Sequence, residues 1–116
     1  MLQRRHRNLT EETDLRPITF LVGGWLDVAA AVLLEMGNPS RFLILDFLSD
    51  GEMSVGKLAD KVGLSQSATS QHLRRLSAAG LVDSRRDAQK KYYFCRSMAV
   101  VTLLDAVKGL PSVRDA

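Results

Sequence analysis

Hydrophobic and polar positions alternate along this chain with two different periods. From Val55 to Val62 the period is helical, with Val55, Leu58, Ala59 and Val62 on one face. Gly63-Leu64-Ser65 interrupts it: Gly63 can take the left-handed backbone that ends a helix, and Ser65 is placed to cap the next one. The helical period resumes from Gln66 to Ala79 and points Thr69, Leu73 and Leu76 inward. The same geometry turns Gln66, Ser67, Ser70, Gln71 and Arg74 outward together. Gly80 stops this helix. Leu81–Arg85 and Lys91–Cys95 are then strand-like runs with β-branched and aromatic content, joined by a loop over 86–90 of plausible hairpin length. Helix, tight turn, helix and hairpin in that order predict a winged helix-turn-helix, mainly α with a small β-hairpin wing.

The flanking segments are apolar as well. Pro17 opens a long run, Ile18 to Met36, that includes Phe20, Leu21, Trp25, Val28 and Val32 and is apolar around most of its circumference. A membrane span fits poorly, because Gly23-Gly24 and Asp27 interrupt the run and a mid-span Asp costs roughly 2.5–3.5 kcal/mol. A wholly buried helix needs more surrounding protein than 116 residues provide. A helix covered on one side by its own domain and on the other by a second copy fits the pattern. Asn38 and Pro39 suit a cap and first residue, so Pro39 to Ser49 is the next predicted helix, with Phe42, Leu43, Leu45, Phe47 and Leu48 on its buried side. Ser97 caps a last helix, Met98 to Lys108, apolar at Val100, Val101, Leu103, Leu104 and Val107. Residues 1–16 and 110–116 read as tails, which leaves 17–109 as one domain.

Charge sharpens this picture. The chain as a whole carries only +3, but nine Lys or Arg from Lys57 to Arg96 oppose three Asp, a balance of +6. From Ile18 to Gly56 one Arg opposes five acids, a balance of −4. Segregation of that kind points to a polyanion on one face. The outward stripe of the second helix contains small hydroxyls, amides and one Arg, with no Glu or Lys anywhere from Gln66 to Ala79. Amides and Arg pair bidentately with base edges and Ser permits close approach, so Gln66, Ser67, Ser70, Gln71 and Arg74 are candidate readers of a DNA major groove. Arg75, Arg85, Arg86, Gln89, Lys90 and Lys91 are candidates for the DNA backbone or minor groove.

These residues carry a family likeness. Leu64-Ser65-Gln66-Ser67-Ala68-Thr69-Ser70-Gln71-His72-Leu73, then Leu76, Gly80-Leu81-Val82, Arg85-Arg86-Asp87 and Tyr92-Tyr93, with Gly37 to Leu45 upstream, resemble the ArsR/SmtB repressors over roughly Phe20 to Lys108. The wing and the Ser-Gln-Ser-Ala core are most similar to the metal-independent branch. The resemblance implies a homodimeric, double-stranded-DNA-binding repressor whose first and last helices build the dimer interface. That assigns Phe20, Leu21, Trp25, Val28, Val32, Val100, Leu103, Leu104 and Val107 to the interface.

Other chemistry finds little support. The metal-binding members of that family carry paired cysteines in the first helix of the helix-turn-helix; here the matching stretch, Glu52 to Leu58, has no thiol. Others place Asp and His ligands on the last helix, where this chain has Asp105 without a His, so the expectation is no metal and no cofactor. His72 reads as a hydrogen-bonded structural residue or a base reader. Arg41 reads as a phosphate contact or the partner of a nearby acid. Cys95 reads as a strand filler or a thiol sensor, and the usual intrachain thiol switch needs a second cysteine that this chain lacks. No phosphate-binding loop and no nucleophile with a placed base appear, which excludes the common enzyme classes. One cysteine and a charged opening segment without an apolar core suit a cytoplasmic protein.

Overall fold

The computed structural model describes residues 24–111. In chain order they form α1 (Trp25–Met36), α2 (Pro39–Asp50), β1 (Met53–Ser54), α3 (Val55–Val62), α4 (Gln66–Ala78), β2 (Val82–Asp87), β3 (Lys90–Cys95) and α5 (Met98–Lys108). Residues from Ala31 onward cluster as one compact unit, and the turns of α1 before Ala31 lie outside it.

Local chemistry sets the helix ends. Asn38 caps α2 by accepting from the Arg41 amide at 3.0 Å, with Pro39 as its first residue. Ser54 caps α3 and Ser65 caps α4, the latter accepting from the Ala68 amide at 3.0 Å. Between them Gly63 takes φ 77°, and its amide and that of Leu64 both donate to the Ala59 carbonyl, at 2.9 and 3.1 Å. This αL stop, with a cap two residues later, makes the tight turn of the helix-turn-helix. Ser97 caps α5 in the same way as the other serines, accepting from the Val100 amide.

The core is built from every element after α1 begins to pack. Ile44 and Leu45 of α2, Leu58 of α3, and Leu73 and Leu76 of α4 are wholly removed from solvent, together with Val100 and Leu104 of α5. Each such side chain contributes about 1.5–3 kcal/mol relative to exposure. Thr69 is equally buried, and its hydroxyl is satisfied by donating to the Ser65 carbonyl at 2.8 Å. Val32 and Met36 close the core from α1.

Several expectations need correction here. Val32, Val100 and Leu104, assigned above to a dimer interface, are at most 5% exposed and belong to the chain's own core. Helical periodicity marks a residue as apolar-facing but does not say which body covers it. Leu43, expected on the buried side of α2, is exposed, and Ile44 takes its place. Large apolar side chains left in solvent are Trp25 (70% exposed), Val28, Leu33 and Leu34 of α1, and Met98 (76%) and Val107 of α5, with Leu110 just beyond. Leu103 is half-buried. Phe20 and Leu21 lie outside the described residues.

The wing also differs from expectation. Its strands run longer than the sequence pattern indicates, pairing from Val82↔Cys95 to Asp87↔Lys90, so the connection is the two-residue turn Ala88-Gln89. Ala88 takes φ 58°, a left-handed position where Gly is usual. A third strand, β1, pairs with β3 through Met53↔Tyr93 and Ser54↔Tyr92, giving a sheet of order β1-β3-β2. Two residues are too few to show any period, so β1 is invisible in the sequence. It anchors the wing to the start of α3.

Candidate nucleic-acid interface

α4 presents four distinct sides. Leu73, Leu76 and Thr69 face the core. Ser67, Gln71 and Arg74 form the fully outward stripe, all exposed. Ser70 and Ser77, at positions i+3 and i+10 from Ser67, fall on the flank toward the wing, while His72 and Arg75 fall on the opposite flank. The five residues expected outward together are therefore not equivalent. Ser70 is half-buried at the wing flank. Gln66 is exposed, but its amide lies against α3: a Cβ built on Gly56 would stand 3.3 Å from Gln66 Nε2. Gly56 thus leaves the space in which the Gln66 side chain rests.

The flank away from the wing is tied to α1. Glu35, only 7% exposed, receives Arg41 Nε at 3.1 Å and Arg75 Nε at 2.8 Å on the same carboxylate oxygen. Arg41 is also buried and donates from Nε to the Glu35 carbonyl at 2.9 Å and from Nη2 to the Leu34 carbonyl at 3.4 Å, closing the C-terminal turn of α1. Of the two readings of Arg41, the acid partner is the one realised. Arg75, expected on the DNA backbone, is committed through Nε to Glu35. His72 is half-buried beside the two arginines; burial, then Arg41 and Arg75, push its pKa below the ordinary imidazole value.

The wing cations divide between the two faces of the hairpin. Side chains alternate along a strand, and Arg86 pairs with Lys91 while Arg85 pairs with Tyr92. Arg86 and Lys91 therefore share a face with Ser84 and Tyr93, whereas Arg85 and Lys90 point to the other. They do not form the single cluster expected from their nearness in sequence. Arg85 is held by Glu52, its Nε lying 2.9 and 3.0 Å from the two carboxylate oxygens and its Nη2 closing the fork. The guanidinium also lies 5.0 Å from the Tyr92 ring centroid. Hydrogen bonding to Arg85 holds the Glu52 carboxyl below the usual range, and the same contact raises the Arg85 pKa. Among the described residues three acids of the first half are paired with basic residues of the second: Glu35 with Arg75, Asp46 with Lys108 and Glu52 with Arg85. The pairing with Asp46 raises the Lys108 pKa.

Between the wing and α4 lies an open groove of about 430 Å3, lined by Ser70, Arg74 and Ser77 from the helix and Asp83, Ser84, Lys91 and Tyr93 from the hairpin. Asp83 is occupied on both oxygens, by the Ser84 amide at 2.8 Å and by Arg96 Nη1 at 2.9 Å. Lys91 Nζ sits 5.3 Å from the Tyr93 ring centroid. Ser77, Ser84 and Tyr93 were not singled out from the sequence; their place here depends on the hairpin register, which only the fold reveals. Cys95 is half-buried against the core, with its thiol 3.7 Å from the Ser97 carbonyl, as a strand filler would be.

A polar, cation-bearing helix face beside a basic wing is the geometry of a DNA reader, and comparison with known proteins agrees. Residues 38–84 match the model of the arsR family of bacterial regulatory proteins. Over 84 residues, 72% of this chain and 69% of the relative, the chain is 55% identical to nodulation protein NolR of Rhizobium meliloti. The crystal structure of NolR from Sinorhizobium fredii superposes with a TM-score of 0.67 at 54% identity, covering 72% of this chain and 83% of that one. The homodimeric winged helix-turn-helix DNA-binding domain of a possible ArsR-family regulator from Mycobacterium bovis superposes with a TM-score of 0.66 at 30% identity, covering 83% of both chains. The chain belongs to the arsR family of bacterial regulatory proteins and is a DNA-binding, winged helix-turn-helix transcriptional regulator, not an enzyme.

Proposed function

We propose that the protein is a homodimeric repressor that binds a near-palindromic operator without a metal ligand. The observation that carries this reading is the outward stripe of α4: Ser67 and Gln71 stand exposed on a helix whose start is held by the Ser65 cap and whose inner face is wholly buried. Rigid presentation of a short hydroxyl and a bidentate amide is what base-edge recognition in the major groove requires. Gln66, held against Gly56, and Ser70, at the groove edge, extend that reading face at its margins. Arg86, Lys90, Lys91 and Gln89 supply the sequence-independent contacts to phosphates or the minor groove. Among the described residues, Arg74, Arg86, Lys90 and Lys91 have no ion-pair partner, so their charge is available to a polyanion.

A second copy covers the exposed apolar side chains of α1 and α5. Trp25, Val28, Leu103 and Val107 remain from the residues the sequence assigns to that interface, and Leu33, Leu34 and Met98 join them. The homodimeric relative from Mycobacterium bovis supports the same assembly. Two recognition helices then enter successive major grooves about 34–36 Å apart, and occupation of an operator overlapping a promoter blocks transcription. Among the described residues no three of His, Cys, Asp and Glu gather at metal-binding spacing. A chromosomal target implies that the working protein is cytoplasmic. Selection of bound sequences from random duplexes at two salt concentrations tests the reading. A two-fold symmetric site that survives the higher salt is the expected outcome. Binding that is unselective and collapses with salt refutes it.

A further inference from the structure

The groove between α4 and the wing has a chemistry of its own. Its side-chain donors are the guanidinium of Arg74, the ammonium of Lys91 and the hydroxyls of Ser70, Ser77, Ser84 and Tyr93. Its one carboxylate, Asp83, is already neutralised by Arg96 and by the Ser84 amide. Arg74 and Lys91 come from different elements, one on the helix and one on β3, and neither meets a carboxylate among the described residues. Several hydroxyls between two unpaired cations suit an anion with multiple oxygen acceptors. The groove is partly open to solvent, so it can admit an anion carried by a larger body. It runs directly beside the outward stripe of Ser67 and Gln71, on the side where the wing rises.

The geometry points to a seat for one backbone phosphodiester of the bound duplex, clamped between Arg74 on the recognition helix and Lys91 on the wing, with the Tyr93 hydroxyl as a further donor. This rests on the DNA-binding reading and deepens it. It moves Arg74 from the base-reading set, where its place on α4 alone would put it, to the phosphate-positioning set. The clamp fixes how deeply the helix sits and where the wing falls, while discrimination between bases rests with Ser67 and Gln71.

The test uses the full chain and duplexes carrying a single neutral methylphosphonate at each backbone position in turn, with the operator taken from the selection experiment. Wild-type protein should lose roughly tenfold in affinity at one position per half-site. Arg74→Gln and Lys91→Gln should each reduce the sensitivity at that same position, and the double variant should abolish it. Because both cations act on one phosphate, the double variant should flatten the slope of log K against log salt by about 0.9 per half-site, not twice that. Tyr93→Phe should weaken binding to all sequences alike and leave the slope unchanged. Arg74 and Lys91 are exposed, and unchanged thermal melts would establish that the variants fold. If Arg74→Gln instead relaxes preference at one base pair, or keeps the wild-type methylphosphonate profile, the seat is wrong although the DNA reading stands. If wild-type protein selects no site at all, the DNA reading itself has failed.

Discussion

The joint between α1 and the recognition helix makes the sharpest energetic prediction. Replacing Glu35 with Gln preserves shape and removes one charge from a residue that is only 7% exposed. The loss falls mainly on Arg41, which is buried and would keep the Leu34 and Glu35 carbonyls and a neutral amide oxygen as acceptors. Removing one partner of a buried pair costs about 3–5 kcal/mol, and the two retained carbonyls and the Gln amide oxygen lower that to about 2–3 kcal/mol. Arg75 is about half exposed, at 52%, so its share of the joint is at most about 1 kcal/mol. Glu35→Gln should therefore lower Tm by about 10–20 °C, whereas Arg75→Gln should lower it by only a few degrees. Thermal melts at one matched protomer concentration compare the two variants with any assembly effect held constant. Replacing the pair together, Glu35→Leu with Arg41→Met, should recover most of the loss, because two fitted apolar side chains need no desolvated charge. Equal losses for Glu35→Gln and Arg75→Gln would refute the reasoning, since the cost would then not reside in the buried arginine. Failure of the double replacement to recover stability would do so too.

Three further outcomes follow from particular residues. Ala88→Gly should stabilise the protein by up to about 1 kcal/mol in denaturant titration, because φ 58° strains any residue with a Cβ, whereas Ala88→Val should destabilise it. His72 has a folded-state pKa below its unfolded value of about 6.5, so the unfolded chain takes up a proton first. Stability should be full above that pH and decline as pH falls from it toward the lower folded pKa, and His72→Gln should flatten that decline. Glu52→Gln removes the acid that holds Arg85. DNA affinity at low salt should rise and its salt dependence steepen for all sequences, and an unchanged salt slope would show that Arg85 never reaches a phosphate.

Local chemistry made much of this molecule legible. The Ser65 cap, the Gly63 stop and the inward Thr69, Leu73 and Leu76 are interactions among residues a few positions apart, so their spacing alone specifies the turn and the buried side of the recognition helix. The starts of α2 at Asn38-Pro39 and of α5 at Ser97 belong to the same class. What spacing could not supply was the identity of the surface opposite each side chain. Val32, Val100 and Leu104 look no different along the chain from Val28 and Val107, yet the first three fill the interior and the last two meet solvent. Charges behaved likewise: Arg75 and Arg85 read as free cations until folding brought Glu35, 40 residues away, and Glu52, 33 residues away, against them. The pleat of a register that begins at Val82↔Cys95 decides which wing cations face the helix, and so assembles the groove of Arg74, Lys91 and Tyr93. Periodicity reports the direction of a side chain relative to its own backbone; only the packed chain determines what stands on the other side.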